Sequence, residues 1–192
     1  MAKRLAFLGP AGTHTEQACL NYDPEAIRVP FASISRVAAA VESGLADEGM
    51  VPIENSLEGS VTPTLDLLIH ESELFLRHEL VLPIANCLVA NDGTKIEDVT
   101  VVYSHPQALA QCHSFLANHL PNAAQVASMS TSAAVEQMQK RGRETAAISA
   151  KRASTLYSAR ILAQGIDDNP NNMTRFGSTR SVRLDRNGTP AT

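Results

Sequence analysis

The stretch Leu74-Phe75-Leu76-Arg77-His78-Glu79-Leu80-Val81-Leu82-Pro83-Ile84-Ala85-Asn86-Cys87-Leu88-Val89-Ala90 divides the chain. It is extended in character, apolar at Leu80, Val81, Leu82, Ile84, Leu88 and Val89, and interrupted at Pro83. Proline cannot donate to a ladder, so a long strand with one inside it tends to pass from one sheet to another. The stretch therefore reads as a first crossing between two lobes. Strand-like and helix-like segments alternate on both sides of it, which is the pattern of an α/β fold.

Upstream, Leu5-Ala6-Phe7-Leu8 reads as a buried strand that breaks at Gly9-Pro10-Ala11-Gly12. Thr13 and Glu16 then have capping-box spacing, which starts a helix with its free N–H groups facing the loop. That is an anion site in outline, and it is equally the outline of an ordinary capped helix. Neither the Gly-Lys-Ser/Thr of a P-loop nor the three glycines of a dinucleotide site is present. Ile27 to Phe31 suits a second strand, followed by a helix capped by Ser33 that runs through Val37, Val41 and Leu45 and stops near Gly44. Met50 to Ile53 is a strand whose carboxyl end carries Glu54, Asn55 and Ser56. Open α/β sheets bind ligands at such ends, although Asn and Ser are also common turn residues. Thr62 and Pro63 are placed to open another helix, with Leu65, Leu68 and Ile69 on its buried face.

Downstream the pattern restarts. Val99 to Tyr103 is a strand, and Ser104-His105-Pro106 turns it into a helix with Leu109, Cys112 and Leu116 on one face, ending before Pro121. Gln107 and Gln111 lie one turn apart on that helix. His105 reads as a hydrogen-bonded turn histidine, since no nucleophile stands beside it. Ala124 to Ala127 is a weak strand, and Ser128, Ser130, Thr131 and Ser132 crowd the start of a helix over 133–140, which suits an anion or plain capping. Thr145 to Ser149 and Arg160 to Ala163 are strands flanking a short helix from Ala150 to Tyr157. The loop Asp167-Asp168-Asn169-Pro170-Asn171 then feeds a short strand, Asn172-Met173-Thr174-Arg175-Phe176. Beyond Gly177 only Val182 and Leu184 continue an apolar pattern, and a loose end is expected. The expected division is a first lobe of residues 1–77 plus 165–192 and a second of 78–164, with a cleft where they meet.

Of 192 residues 44% are hydrophobic, enough for two small cores, and a net charge of -4 without basic clusters argues against a nucleic-acid surface. Cys19, Cys87 and Cys112 are too widely spaced for a zinc or redox motif, so reduced structural thiols are expected. No histidine pair has metal-ligand spacing. The four apolar residues after Met1-Ala2-Lys3-Arg4 are too few for a signal peptide, and no run is long enough for a bilayer. The expectation is a soluble cytoplasmic protein with no membrane partner.

Four stretches in order carry a resemblance: Gly9-Pro10-Ala11-Gly12-Thr13; Pro52-Ile53-Glu54-Asn55-Ser56 with Gly59-Ser60-Val61; Ser104-His105-Pro106-Gln107-Ala108-Leu109-Ala110-Gln111-Cys112; and Asn172-Met173-Thr174-Arg175-Phe176. With them the chain resembles the catalytic domain of the prephenate dehydratase family. The resemblance implies two α/β lobes similar to type II periplasmic binding proteins, prephenate bound in the interlobe cleft, a homodimer, and no cofactor or metal. It implies that Thr174 is the key catalytic residue, and carries site roles onto Glu54, Asn55, Ser104 and Gln111. A hydrogen-bond donor must help the ring hydroxyl leave, which suits Thr174. Neutral Asn55 and Gln111 suit the carboxylate that is lost. The other carboxylate suits the N–H groups near Thr13 or near Ser130 and Thr131. Ser104 supports the departing hydroxyl or Thr174; Glu54 orients Asn55 or Thr174; Arg175 anchors substrate or pairs with an acid; Phe176 belongs to the core. Family members usually continue into a regulatory ACT domain, and this chain has none, so it is a truncated piece or a stand-alone protein. Two other functions fit the same outline: a prephenate decarboxylase that does not aromatise the ring, and a non-catalytic module that binds an aromatic acid or amino acid.

Overall fold

The computed structural model describes residues 2–181; Val182 and Leu184 lie outside the described residues. In chain order the elements are β1 (Arg4–Leu8), α1 (His14–Tyr22), β2 (Ile27–Phe31), α2 (Ile34–Glu42), β3 (Glu48–Asn55), β4 (Gly59–Ser60), α3 (Thr62–Asp66), β5 (Leu74–Pro83) and β6 (Asn86–Ala90). They continue with β7 (Val101–Ser104), α4 (Pro106–Gln111), α5 (His113–His119), β8 (Ala124–Ala127), α6 (Thr131–Gln139), β9 (Thr145–Ala150), α7 (Lys151–Leu156), β10 (Arg160–Gln164) and β11 (Met173–Ser181). This is a mixed α/β fold with two sheets. The first runs β2-β1-β3-β11-β5, with β4 added to β3, and the second runs β10-β6-β9-β7-β8.

The chain falls into two compact units, whose described residues are 2–9, 15–83 and 173–181 in one and 10–14 and 84–172 in the other. The proline reading locates the passage: β5 ends at Pro83 in the first sheet and β6 begins at Asn86 in the second. The divide lies a few residues beyond 77/78 because residues 78–83 pair with β11 as far as Met173↔Pro83. On the return it lies at 172/173 rather than 164/165, because Asp167 and Asp168 are bonded to Asn86 and Ser114 of the second unit.

In the first unit β1 is parallel to β2 and β3, whereas β11 runs antiparallel to β3 and β5. Ser33 caps α2, accepting from the Arg36 N–H at 3.3 Å. Val37 and Val41 pack with Ala6, Val51 and Leu74. Leu45 lies past the end of α2 and is 48% exposed. Thr62 is the first residue of α3 rather than its cap, and a π-helical turn, Leu67–Glu71, follows directly. Thr64 and Leu67 are buried, and within the π turn the set-back angular step leaves Ile69, expected inside, exposed. Near the start of β3, Glu48 is buried and receives Lys3 Nζ at 2.8 Å, Arg77 at 3.3 Å and the Tyr22 hydroxyl at 2.7 Å. Such a carboxylate is tolerated because its lone pairs are filled.

In the second unit β9, buried along its whole length, is antiparallel to β6 and parallel to β7. Leu88, Val102, Leu116, Ile148 and Cys112 form one core cluster; Val89, Val135, Met138 and Ala147 belong to another. The helix expected to continue through Leu116 breaks at Cys112 into α4 and α5. The break exposes the first N–H groups of α5, and Asp168 takes the one at Ser114 (3.0 Å).

The three thiols are free and buried. Burial pushes Cys19 up to about 12, with Glu16 adding to the effect, and raises Cys87 and Cys112 as well. Thiolate is the reactive form. We therefore expect no fast reaction with a thiol reagent at pH 8 in the native chain and full reaction in denaturant. A native thiol that reacts at the rate of a free cysteine contradicts this packing.

Candidate active site

The site builds from the antiparallel pairing of β3 with β11, which sets Asn55 opposite Thr174 and Glu54 opposite Arg175. The Arg175 guanidinium donates to Glu54 at 2.9 Å. Asn55 Nδ2 donates to Thr174 Oγ1 at 2.9 Å and to the Met173 carbonyl at 3.1 Å. Ser56 Oγ accepts from the Met173 N–H at 2.9 Å, and the Ser56 N–H returns a bond to the Met173 carbonyl at 2.8 Å. Three consecutive residues of one motif are thus bonded to three of the other.

The Asn55 amide can be oriented without ambiguity. Its Oδ1 accepts the N–H groups of Leu57 (2.9 Å) and Glu58 (3.1 Å) in the turn after β3, so the nitrogen must face Thr174. Two donors and two acceptor sites are the whole capacity of an asparagine amide. These four bonds engage all four, and they hold the Asn55 side chain in place against Thr174. For Thr174 the consequence is polarity: toward Asn55 its Oγ1 is the acceptor, so the hydroxyl's own proton is not used in that bond. Thr174 is 7% exposed.

Arg175 follows Thr174 in the same strand, and successive side chains of a strand point to opposite faces. Its guanidinium is held by Glu54 and, on the other side, by Glu79 of β5, also at 2.9 Å. An arginine facing away from the threonine and carrying two carboxylates is paired with acids, the second of the two roles left open by the sequence. Phe176 is 2% exposed and belongs to the core.

The remaining candidates lie in the second unit. Ser104 is fully buried at the end of β7, and its hydroxyl donates to the Ile148 carbonyl at 2.8 Å. His105 Nδ1 accepts from the Gln107 N–H at 3.3 Å, as a turn histidine should. The Gln111 carbonyl accepts from the Asp168 N–H at 2.7 Å. The Thr13 hydroxyl donates to the Pro10 carbonyl at 3.0 Å. Ser130 caps α6, accepting from the Ala133 N–H at 3.0 Å, and Thr131 is the first residue of that helix. Gly12 has φ +85, and a Cβ there would stand 3.0 Å from Ser132 Oγ and 3.2 Å from Ala153. Only glycine lets the 10–14 turn lie this close to α6 and α7.

Several residues of these networks carried no signal in the sequence. Glu79 is one of two acids on Arg175, yet its partner is 96 positions away. Asp167 receives both the backbone N–H (2.6 Å) and the Nδ2 (2.5 Å) of Asn86, and reads in sequence only as part of a polar loop. No group of His, Cys, Asp and Glu among the described residues has the arrangement to hold a metal ion. No described helix is long and apolar enough to cross a membrane.

The prephenate dehydratase family profile matches residues 5–181. The chain is 38% identical over 174 residues to the bifunctional chorismate mutase/prephenate dehydratase of Pseudomonas aeruginosa, covering 90% of this chain and 47% of that one. It is also 38% identical to arogenate dehydratase 1 of Petunia hybrida, covering 90% of this chain and 41% of that one. The crystal structure of a prephenate dehydratase from Arthrobacter aurescens in complex with L-Phe superposes with a TM-score of 0.84 at 37% identity, over 93% of this chain and 60% of that one. The chain therefore belongs to the prephenate dehydratase family. It spans about half the length of the curated relatives it matches.

His14, the first residue of α1, has a depressed pKa: burial disfavours the imidazolium, and the attraction of Asp167 only partly offsets this. Its folded pKa lies below the ordinary 6.5, so the unfolded chain takes up the proton first. The stability this contributes is present above that ordinary value and lost as the pH falls through and below it. We expect the urea midpoint to drop between pH 7.5 and 5.5, and His14→Gln to shrink the drop; an unchanged slope in the variant contradicts this.

Proposed function

We propose that the chain carries the catalytic unit of a prephenate dehydratase, which converts prephenate to phenylpyruvate on the route to phenylalanine. Family membership supports the reaction class, and the observation that carries the assignment to Thr174 is the polarity of its hydroxyl. Prephenate holds a ring carboxylate, a ring hydroxyl opposite it and a pyruvyl carboxylate. As the ring C–carboxylate bond breaks, its electron pair moves into the ring and the C–O bond to the hydroxyl breaks at the far side. Carbon dioxide leaves, and the departing oxygen takes up a proton and leaves as water. Aromatisation supplies the driving force, so the protein's task is to hold the ring and stabilise the departing oxygen. A hydroxyl that accepts from Asn55 does not spend its own proton in that bond, and it can donate that proton to the departing oxygen. Asn55 acts through Thr174, and Glu54 acts through Arg175.

For the carboxylates we carry over the roles the resemblance implies: Gln111 as a neutral donor to the ring carboxylate, and Thr13, Ser130 and Thr131 around the other. The α6 N-terminus, with Ser130 as cap, supports the latter. Ser104 fixes the β7–α4 junction, since its hydroxyl is given to Ile148. A cytoplasmic homodimer is part of the same proposal. The petunia relative's name brings in a second substrate, arogenate, which has an amine in place of the keto group and the same reacting ring.

Product analysis with each substrate tests the reading. Phenylpyruvate from prephenate supports it; a dihydro-hydroxyphenylpyruvate means decarboxylation without aromatisation, and saturable binding with no product means a sensor. Phenylalanine formed from arogenate at the higher kcat/KM reassigns the substrate. We expect Thr174→Ala to lower kcat on the order of a hundredfold or more with little change in substrate affinity. Near-normal turnover removes Thr174 from the mechanism.

A further inference from the structure

We propose that Glu79 is a positioning residue of this site: with Glu54 it clamps Arg175 across three strands and so aims the Thr174 hydroxyl. The inference rests on the role given above to Thr174.

The register shows why a clamp is needed. Glu54 faces Arg175 and Pro52 faces Phe176, which leaves Ile53 as an extra residue on β3. A bulge of this kind interrupts the ladder, bends its strand and re-aims the side chains beside it. Here those are Glu54 and Asn55, the latter holding Thr174. The ladder alone is weakest where Thr174 must be placed best. On the other side of β11 the pairing to β5 is regular from Met173↔Pro83 to Ser178↔His78, so β5 is the straight edge against which the bulged strand can be set.

Arg175 spans the gap. One terminal nitrogen donates to Glu54 on the bulged strand and the other to Glu79 on the regular one, each at 2.9 Å. A planar guanidinium engaged from both sides fixes the spacing of β3, β11 and β5 at this level, which a flexible lysine does not do. The bulge residue is itself seated: a Cβ on Gly177 would come within 2.6 Å of Ile53 Cδ1 and 2.5 Å of Leu76 Cδ2. β11 is thereby held by packing below the bulge and by the clamp at it.

Magnitudes separate positioning from support. Arg175 and Glu79 side chains are 38% and 46% exposed, and exposed ion pairs contribute little to stability. Displacing a reacting group by a fraction of an ångström, by contrast, lowers turnover many-fold. Glu79 should therefore matter more to kcat than to the melting temperature.

The test compares Glu79→Ala and Glu79→Gln with the parent chain. We expect Glu79→Ala to lower kcat for prephenate about tenfold with KM within about twofold and only a small change in melting temperature. Glu79→Gln, which keeps an acceptor for Arg175, should recover most of the loss. A second readout is independent of turnover: in chain labelled at threonine methyl groups with carbon-13, the Thr174 signal should shift or broaden in Glu79→Ala, while that of Thr145 in the second sheet stays in place. Unchanged kcat with an unmoved Thr174 signal overturns the proposal, as does a kcat loss that follows the loss of melting temperature. If the parent chain itself does not turn over prephenate or arogenate, the functional reading fails, and the methyl signal still judges the clamp.

Discussion

The antiparallel match of Glu54-Asn55-Ser56 with Arg175-Thr174-Met173 is the constraint on which the candidate site depends. Each of its neutral hydrogen bonds contributes on the order of 1 kcal/mol net. Their value lies in direction. Two backbone N–H groups fix the Asn55 carbonyl, that fixes the amide nitrogen, and the nitrogen makes Thr174 Oγ1 the acceptor of their bond. The same strand geometry sends Arg175 to the opposite face, where the guanidinium is paired with Glu54 and Glu79.

The second unit handles its polar loops by a related device. Asn86 gives two donors to Asp167 from a single residue at the start of β6, and Asp168 accepts the Ser114 N–H in the first turn of α5. The break between α4 and α5 is what makes that N–H group available. Gly12 shows the complementary constraint, a place where the absence of a side chain lets one turn rest on two helices. Polar bonding and close backbone approach together fix loops that carry little apolar surface of their own.

Much of the fold is legible in the sequence because it follows from local periodicity. The apolar runs at Leu5 to Leu8, Ile27 to Phe31 and Thr145 to Ser149 are strands, and Ser33 and Ser130 sit where capping chemistry puts them. Pro83 marks the passage from one sheet to the other. Misplacements occur where a local rule met a tertiary one: a π turn rotated the face expected at Ile69 outward, and the helix through Cys112 broke at a point where an acid more than fifty positions away takes up a freed N–H.

The site divides along the same line. Sequence alone fixed the chemical inventory, namely a hydroxyl, amides and capped helix starts at strand ends, because side-chain type and strand-to-helix junctions are local properties. Which of these groups meet, and which atom of each is already spent, was decided by tertiary structure. Asn55 came to lie against Thr174, Arg175 turned away from its neighbour, and Glu79 entered from an edge strand, because register across a sheet joins residues about a hundred positions apart and no local pattern records it.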